Sequence, residues 1–180
     1  MALRKPQPAD LANHDGGGTA TAVAEPPPVV AGESADECAA IGQALVQGGY
    51  LAADALESVL AEGQGDLLRF GGRLLNHVGV DRKAYSQAVA HVCQVPIADA
   101  SSIQLDEEIV TRFPEDVARS NKVMPIGEEG GMIVLFAADP SPWRRQQVES
   151  ATGQRFVWKA SDDKTVTSFI EQMYLSLIHI

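Results

Sequence analysis

The chain has 180 residues, 45% of them hydrophobic, with a formal net charge of −10 and an isoelectric point near 4.7. This acidity excludes nucleic acid as the main partner, because phosphate binding needs clustered lysine and arginine. No apolar run approaches the roughly 20 residues that span a bilayer and no signal peptide is recognisable, so we expect no direct membrane insertion. Cys38 and Cys93 are too few for a disulfide framework or a zinc site, which favours a reducing cytoplasm.

Residues 1–33 are predicted to form a disordered tail. They contain Gly16-Gly17-Gly18 and Pro26-Pro27-Pro28 and offer little apolar surface to bury. A short docking peptide within this tail is the alternative. Order is predicted to begin at Ser34, which with Glu37 fits a capping box, a pair of side chains that bonds the free N–H groups at a helix start.

One pattern of glycines and apolar residues occurs twice between residues 34 and 95. The first copy carries it at Gly42, Leu45, Gly49, Leu56 and Leu60. The second carries it thirty positions later at Gly72, Leu75 and Gly79 and then, after the loss of one residue, at Tyr85 and Val89. A shared spacing indicates one supersecondary unit built twice. Glycine stops divide each copy into two short helices, predicted over 34–47, 53–62, 67–77 and, from an N-cap at Asp81, to Val92.

Residues 96–174 are predicted to form a small α/β subdomain. Short helices over 105–113 and 114–120 precede strands over 122–126 and 132–138, which a turn at 128–131 joins as a hairpin. A helix over 141–152 ending at Gly153, a strand over 156–160 and a helix from a cap at Ser161 through Met173 complete it. The predicted fold class is therefore α+β, with a bundle of four short helices followed by a three-stranded sheet.

The last six residues, 175–180, have the sequence LSLIHI and depart from the preceding pattern. We interpret them as a non-native tail, of the kind that translation of a sequencing-library adapter produces. A native apolar tail is the alternative. On the first interpretation the reading frame was cut, and further domains would lie beyond it.

Together these features resemble the N-terminal domain of the secretion and pilus-assembly ATPases, known as the MshEN or type II secretion ATPase N-terminal domain. In that family the tandem pattern reads R-L-G-x-x-L-x-x-x-G, then six residues, then L-x-x-x-L-x-x-Q. The stretches VCQVPIADASS and FPEDVARSNKVMPIGEEGGMIVLFAADP are similar to the segments that follow the pattern. The resemblance covers about residues 38–174, and its most specific part is 113–140.

The resemblance implies a non-catalytic docking and regulatory domain of a type II secretion or type IV pilus assembly ATPase, truncated before its motor. Such a domain would couple a homohexameric motor to an inner-membrane platform protein from the cytoplasmic side. Some members bind cyclic di-GMP, so a receptor for this ligand is the second hypothesis. A third is an accessory domain fused to another enzyme, such as a membrane glycosyltransferase. No cofactor is expected, because an ATP site would lie in the missing C-terminal domain.

For a cyclic di-GMP receptor, the resemblance implies close backbone approach at the glycines, leucines packed on guanine faces, and polar contacts from arginine and glutamine. The candidate ligand-binding residues are Gly42, Leu45, Gly49, Leu56, Leu60, Gln64, Arg69, Gly72, Arg73, Leu75 and Gly79. The family's arginine falls on Ala40 and Phe70, and its closing glutamine on Gly63 and Val92. Because guanidinium is the natural bidentate partner of phosphate, we expect weak binding or none.

Catalytic chemistry is not indicated by any motif. No glycine-rich stretch is followed by Lys and Ser or Thr, as an ATP-binding phosphate loop requires, so this chain alone is not expected to hydrolyse ATP. His77 and His91 are predicted to be helix-surface residues rather than metal ligands. Arg144 and Arg145, beside Trp143, are predicted to form a solvated helix start, with binding of an anion or an acidic partner as the alternative. Cys93 has no evident base beside it.

Overall fold

The structure is a computed structural model that describes residues 34–63, 65–99, 101, 103 and 105–178. The predicted tail over 1–33 lies outside the described residues, as do Gln64 and residues 179–180. The described part contains eight α-helices, one π-helical segment and three β-strands. The predicted α+β class, with four helical segments before a three-stranded sheet, is confirmed.

The first half is built from two helical pairs. Helices α1 (Ala35–Gln47) and α2 (Ala53–Gly63) form the first copy, and α3 (Leu67–Arg73), a π-helical segment (Leu74–Val78) and α4 (Arg82–Cys93) form the second. The glycine stops are confirmed, because Gly49 and Gly79 have φ angles of +74° and +82°, which favour glycine. Asp81 caps α4 as predicted, since its carboxylate accepts a hydrogen bond from the Ala84 N–H.

The second half is an antiparallel hairpin extended by one parallel strand. Helices α5 (Glu107–Arg112) and α6 (Glu115–Asn121) precede strands β1 (Val123–Glu129) and β2 (Met132–Ala137), and α7 (Pro142–Thr152), β3 (Val157–Ala160) and α8 (Asp163–Ile178) follow. The sheet order is β1-β2-β3, with β1 antiparallel and β3 parallel to β2. The hairpin turn is confined to Gly130 and Gly131, with φ of +59° and +80°, so Glu128 and Glu129 belong to β1 rather than to the predicted turn.

The predicted capping box at α1 is wrong. Ser34 does occupy the N-cap position, but its hydroxyl bonds no helix N–H group. It donates instead to Oγ of Ser141 at 3.4 Å, in a buried contact. Ser141 is itself the N-cap of α7, so the two helix starts are tied to each other across the molecule. The Ser34 hydroxyl therefore bonds a residue that is distant in sequence instead of an N–H group of α1.

Helix α8 differs from its prediction at both ends. Asp162 caps its first turn, because its carboxylate accepts from the N–H and the hydroxyl of Thr165 at 3.2 and 2.6 Å. The predicted cap, Ser161, instead donates its N–H to the carbonyl of Ala137 in β2 at 2.9 Å. The helix continues to Ile178, past the predicted end at Met173 and into the residues interpreted as a tail.

The two halves share one hydrophobic core. Buried residues of the four helical segments and of the sheet form a single cluster, with Phe70 of α3 and Phe136 of β2 among the largest fully buried side chains. The connection between the halves also joins the sheet, since Pro96 and Ala98 exchange 2.8 Å backbone hydrogen bonds with Ala160. The division at residues 95–96 into two subdomains stays a prediction.

Candidate functional site

In the first copy, Gly42 of α1 is covered by Leu56 of α2. Both residues are buried. A Cβ atom at position 42 would lie 3.2 Å from Cγ of Leu56 and closer still to one of its methyl groups. The two helices therefore approach at a point where only glycine leaves room for the leucine.

In the second copy the covered glycine is Gly71, not the Gly72 that the sequence pattern pairs with Gly42. A Cβ atom at Gly71 would lie 2.8 Å from Cζ of Tyr85 and closer still to its hydroxyl, whereas one at Gly72 would meet nothing within 4 Å. Tyr85 is the counterpart of Leu56. The residues that pack in the same way in the two copies are therefore 29 positions apart, as Gly42 and Gly71 are and as Leu56 and Tyr85 are. The glycine pattern had implied thirty positions.

The π-helical segment Leu74–Val78 accounts for the difference in offset. A π turn adds one residue to a helix without breaking it. From the covered glycine to the helix stop there are seven residues in the first copy, Gly42 to Gly49, and eight in the second, Gly71 to Gly79. The sequence pattern aligned Gly49 with Gly79, the two helix stops. It therefore matched Gly42 with Gly72, one position later than its true counterpart Gly71.

The corrected register changes which residue stands at the family's arginine position. That position lies two residues before the covered glycine, so it is Ala40 in the first copy and Arg69, not Phe70, in the second. Arg69 is exposed on α3, and its guanidinium makes no ion pair within the described part of the chain. Phe70 is fully buried. One of the two arginine positions that the sequence pattern left vacant is therefore filled.

Most apolar candidates are part of the core. Leu45, Leu56 and Leu75 are 1%, 9% and 9% exposed, and Leu60 is half-buried against the same cluster. Gly42 is buried beneath Leu56. In this conformation the leucines are occupied by packing between helices, which limits the surface that they offer to a guanine ring.

The polar and glycine candidates are more accessible. Gly49, Gly79 and Arg69 are exposed. Arg73 is half-buried and forms an ion pair with Glu62 of α2, which ties α3 to the end of α2. Gln64 lies outside the described residues. Arg69 is therefore the one candidate arginine in the described part whose charge is not already paired.

Two candidates, Gly72 and Leu75, line a cleft of about 370 Å³ between the π-helical segment and α8. Three basic residues and two acidic ones also line it: Arg82, Lys122, Lys164, Asp163 and Glu171. The sequence analysis singled out none of these five. The cleft joins segments that are far apart in the chain, so no local pattern marks it.

Two of the cleft's basic side chains are held in place. Arg82 donates from Nη1 to Oδ1 of Asp162 at 3.2 Å and from Nη2 to Oδ1 of Asn76 at 3.4 Å. Lys122 donates from Nζ to Oγ1 of Thr167 at 3.1 Å. Its backbone φ is +51°, a conformation that non-glycine residues seldom adopt. Both charges are paired, Arg82 with Asp162 and Lys122 with Asp163 at 3.9 Å. The cleft therefore places ion-paired groups beside an apolar floor at Leu75.

A buried polar network lies at the start of α7. Asp139 is fully buried and accepts hydrogen bonds from the N–H of Ser141 at 3.0 Å and from Nε of Arg144 at 3.1 Å. Arg144, 6% exposed, also donates from Nη1 to Asn121 at 3.1 Å and to Gln147 at 3.0 Å. The predicted solvated helix start is therefore wrong for Arg144, which is buried and hydrogen-bonded to three side chains.

The cysteines and histidines form no reactive arrangement in the described residues. Burial, with a further contribution from the negative charge of Asp139, raises the pKa of the Cys38 and Cys93 thiols to about 12. Such thiols stay protonated at neutral pH and are poor nucleophiles. His77 and His91 are exposed on their helices, as predicted.

Over the described ranges, no group of three or more His, Cys, Asp or Glu is placed to hold a metal ion. Nor is any helix there both long and apolar enough to cross a bilayer.

Comparison with known families identifies the second half of the chain. The family model of the MshEN domain matches residues 93–179. This segment, just under half of the chain, is therefore similar to MshEN domains. The predicted resemblance is confirmed for the sheet and its helices, whereas the candidate ligand-binding residues, 42–79, precede the segment that the MshEN model matches.

Solved structures extend the likeness of the MshEN domain into the helical half. The N-terminal domain of XpsE is 24% identical, with a TM-score of 0.63 over 77% of this chain and 95% of that one. A structure of MshE with cdg (cyclic di-GMP) is 20% identical, with a TM-score of 0.59 over 74% of this chain and 98% of that one. At these identities the likeness shows a shared fold. No curated protein sequence matches.

Proposed function

We propose that this chain is a non-catalytic docking and regulatory domain of a type II secretion or type IV pilus assembly ATPase. The observation that carries the proposal is its fold, which covers 95% of the XpsE N-terminal domain, together with the match of residues 93–179 to the MshEN family model. Its role would be protein contact, holding a homohexameric motor against an inner-membrane platform protein at the cytoplasmic face. The ATP site would belong to the motor.

The continuous core supports such a role. Two halves that share one hydrophobic cluster and a backbone connection through Pro96 and Ala98 behave as one body. A domain of this kind can transmit the position of one partner to another. Helices that were joined only by a flexible linker would not do so.

The direct test is binding between the purified chain and the cytoplasmic domain of the platform protein from the same genome. We expect a saturable complex in isothermal titration calorimetry and a single co-eluting species in size-exclusion chromatography. The cytoplasmic domain of an unrelated membrane protein serves as the control. Two folded partners that show no heat and no co-elution would overturn the docking role.

The coding sequence beyond residue 174 distinguishes the parent proteins. A motor ATPase requires a Gly-x-x-x-x-Gly-Lys-Ser/Thr loop, whose backbone N–H groups and lysine hold the phosphates. An accessory domain of a membrane glycosyltransferase would instead be followed by apolar membrane-spanning segments. The phosphate loop is the expected finding.

A cyclic di-GMP receptor is the second candidate function. Two observations favour it: the fold is shared with a structure of MshE with this ligand, and Arg69 stands exposed at the family's arginine position. The first copy has Ala40 at the equivalent position, and most candidate leucines are buried. We therefore propose weak binding, in which Arg69 contacts one phosphate of the ligand and no arginine stands at the equivalent position of the first copy to contact the other.

Titration calorimetry with cyclic di-GMP tests this proposal. We expect weak binding that Arg69→Ala reduces by about tenfold or more, because a hydrogen bond to a charged group contributes about 1.5–3 kcal/mol. Ala40→Arg, at an exposed position of α1, should tighten binding by supplying the second arginine. Arg112→Ala, an exposed arginine on α5 outside the repeats, is the control. Submicromolar affinity that survives Arg69→Ala would contradict this arrangement.

A further inference from the structure

A groove of about 630 Å³ runs along α7, and none of the candidate cyclic di-GMP residues lines it. One face of the helix and the segment that follows it form the groove, and three charged side chains line it: Arg145, Glu149 and Arg155. With 11 residues at about 1.5 Å each, α7 is about 16 Å long. That length matches about five residues of extended chain at about 3.3 Å each.

Arg145 is fixed in this groove by two backbone carbonyls. Its Nε donates to the carbonyl of Pro140 at 2.8 Å, and its Nη2 donates to the carbonyl of Cys93, the last residue of α4, at 2.7 Å. These bonds use two of the five N–H donors of a guanidinium. Within the described part of the chain, no carboxylate forms an ion pair with Arg145. The group is therefore immobilised with its charge uncompensated.

Arg155 stands at the other end of the groove. It is exposed and makes no ion pair with any described residue. Glu149, the acidic residue among those described along the groove, accepts a hydrogen bond from Nε1 of Trp158 at 3.4 Å. Its carboxylate is thus engaged with β3 rather than with either arginine. The charges of Arg145 and Arg155 are therefore both available to a ligand.

We propose that this groove binds an acidic segment of a partner protein, whose carboxylates pair with Arg145 and Arg155. A chain with a net charge of −10 repels acidic partners over most of its surface. A local pair of arginines therefore selects both the site and the register of such a segment. Because Arg145 is already ordered, pairing with it costs little side-chain entropy. The inference goes beyond the proposed function, because it names a surface and a partner chemistry that hold for any parent protein.

The test is an unbiased selection from a random octapeptide library on the immobilised chain, followed by fluorescence anisotropy with the enriched peptides. We expect enriched sequences to contain Asp or Glu. Arg155→Gln should weaken their binding by about two- to fivefold, the effect of losing an exposed ion pair. Raising the salt from about 50 to about 250 mM should also weaken it, because the contacts are solvent-exposed ion pairs. Arg112→Gln is the matched control and should change nothing.

Four outcomes would overturn the proposal. Three are no enrichment, enriched peptides without acidic residues, and acidic peptides that bind Arg155→Gln as tightly as the unmodified chain. The fourth is full competition by inorganic phosphate at equal concentration, which would indicate a small-anion site. Arg145→Gln is a second variant, but Arg155 is the better test because it is exposed and, unlike Arg145, makes no hydrogen bond to a described residue of α4. The platform protein is absent from this assay, so its result is independent of the docking experiment.

Discussion

Asp139→Ala is expected to lower the free energy of unfolding by about 3–5 kcal/mol, the range for removing one partner of a buried ion pair. Arg144 would keep its charge at 6% exposure but lose its carboxylate partner, and the N–H of Ser141 would lose its acceptor. Urea denaturation followed by circular dichroism measures the change. Because small domains have total stabilities of about 5–15 kcal/mol, the variant should melt at a far lower urea concentration.

The control for Asp139 is a solvent-exposed pair of the same kind. Glu115 and Arg119 lie one turn apart on α6, with Nε to Oε1 at 2.7 Å and about half of each side chain exposed. Glu115→Ala should change the free energy of unfolding by less than about 1 kcal/mol, as exposed pairs do. Asp139→Asn retains an acceptor for Ser141 and should fall between the two. Equal midpoints for Asp139→Ala and Glu115→Ala would refute the role given to the buried network.

Gly71→Ala is expected to lower the free energy of unfolding by about 1–3 kcal/mol, the usual cost of overpacking a core. The added methyl group would overlap the end of the Tyr85 side chain, which is 3% exposed and whose ring is rigid. Gly72→Ala, on the next residue of the same helix, meets no atom within 4 Å. It should be neutral or stabilising by up to about 1 kcal/mol, because alanine is the better helix former.

These two neighbouring substitutions decide the register of the repeat. If Gly72→Ala were the more destabilising one in matched urea denaturation, the thirty-residue offset would be right, and Arg69 would no longer occupy the arginine position. Gly42→Ala is the equivalent change in the first copy. It should cost less than Gly71→Ala, because the end of the Leu56 side chain can rotate away whereas a tyrosine ring is rigid.

Several elements could be predicted from the sequence because their causes are local. The stops at Gly49, Gly79 and Gly153 depend on a left-handed residue at the helix end, which glycine adopts at little cost. The cap at Asp81 depends on a side chain that reaches an N–H three residues ahead. In each case the interacting groups are separated by a few residues, so the pattern of residue types contains the answer.

The candidate site was only partly predictable. The sequence pattern identified Gly42 and Leu56, which meet in the structure, and it included Arg69 among the candidates. It paired Gly72 with Gly42 because a π turn leaves no mark in the residue types that surround it. The inserted residue is visible only where packing shows which glycine the facing side chain covers.

What the sequence alone determined was the order, type and approximate length of the elements, through glycine stops, caps and apolar periodicity. The tertiary structure decided which polar groups have partners from elsewhere in the chain. The hydroxyl of Ser34 bonds Ser141 rather than an N–H group of its own helix. Arg144 is buried and bonds Asp139, and Arg145 bonds the carbonyl at the end of α4. The physical reason is that the free energy of burying a polar group depends on the partner that folding brings to it, and that partner is distant in sequence.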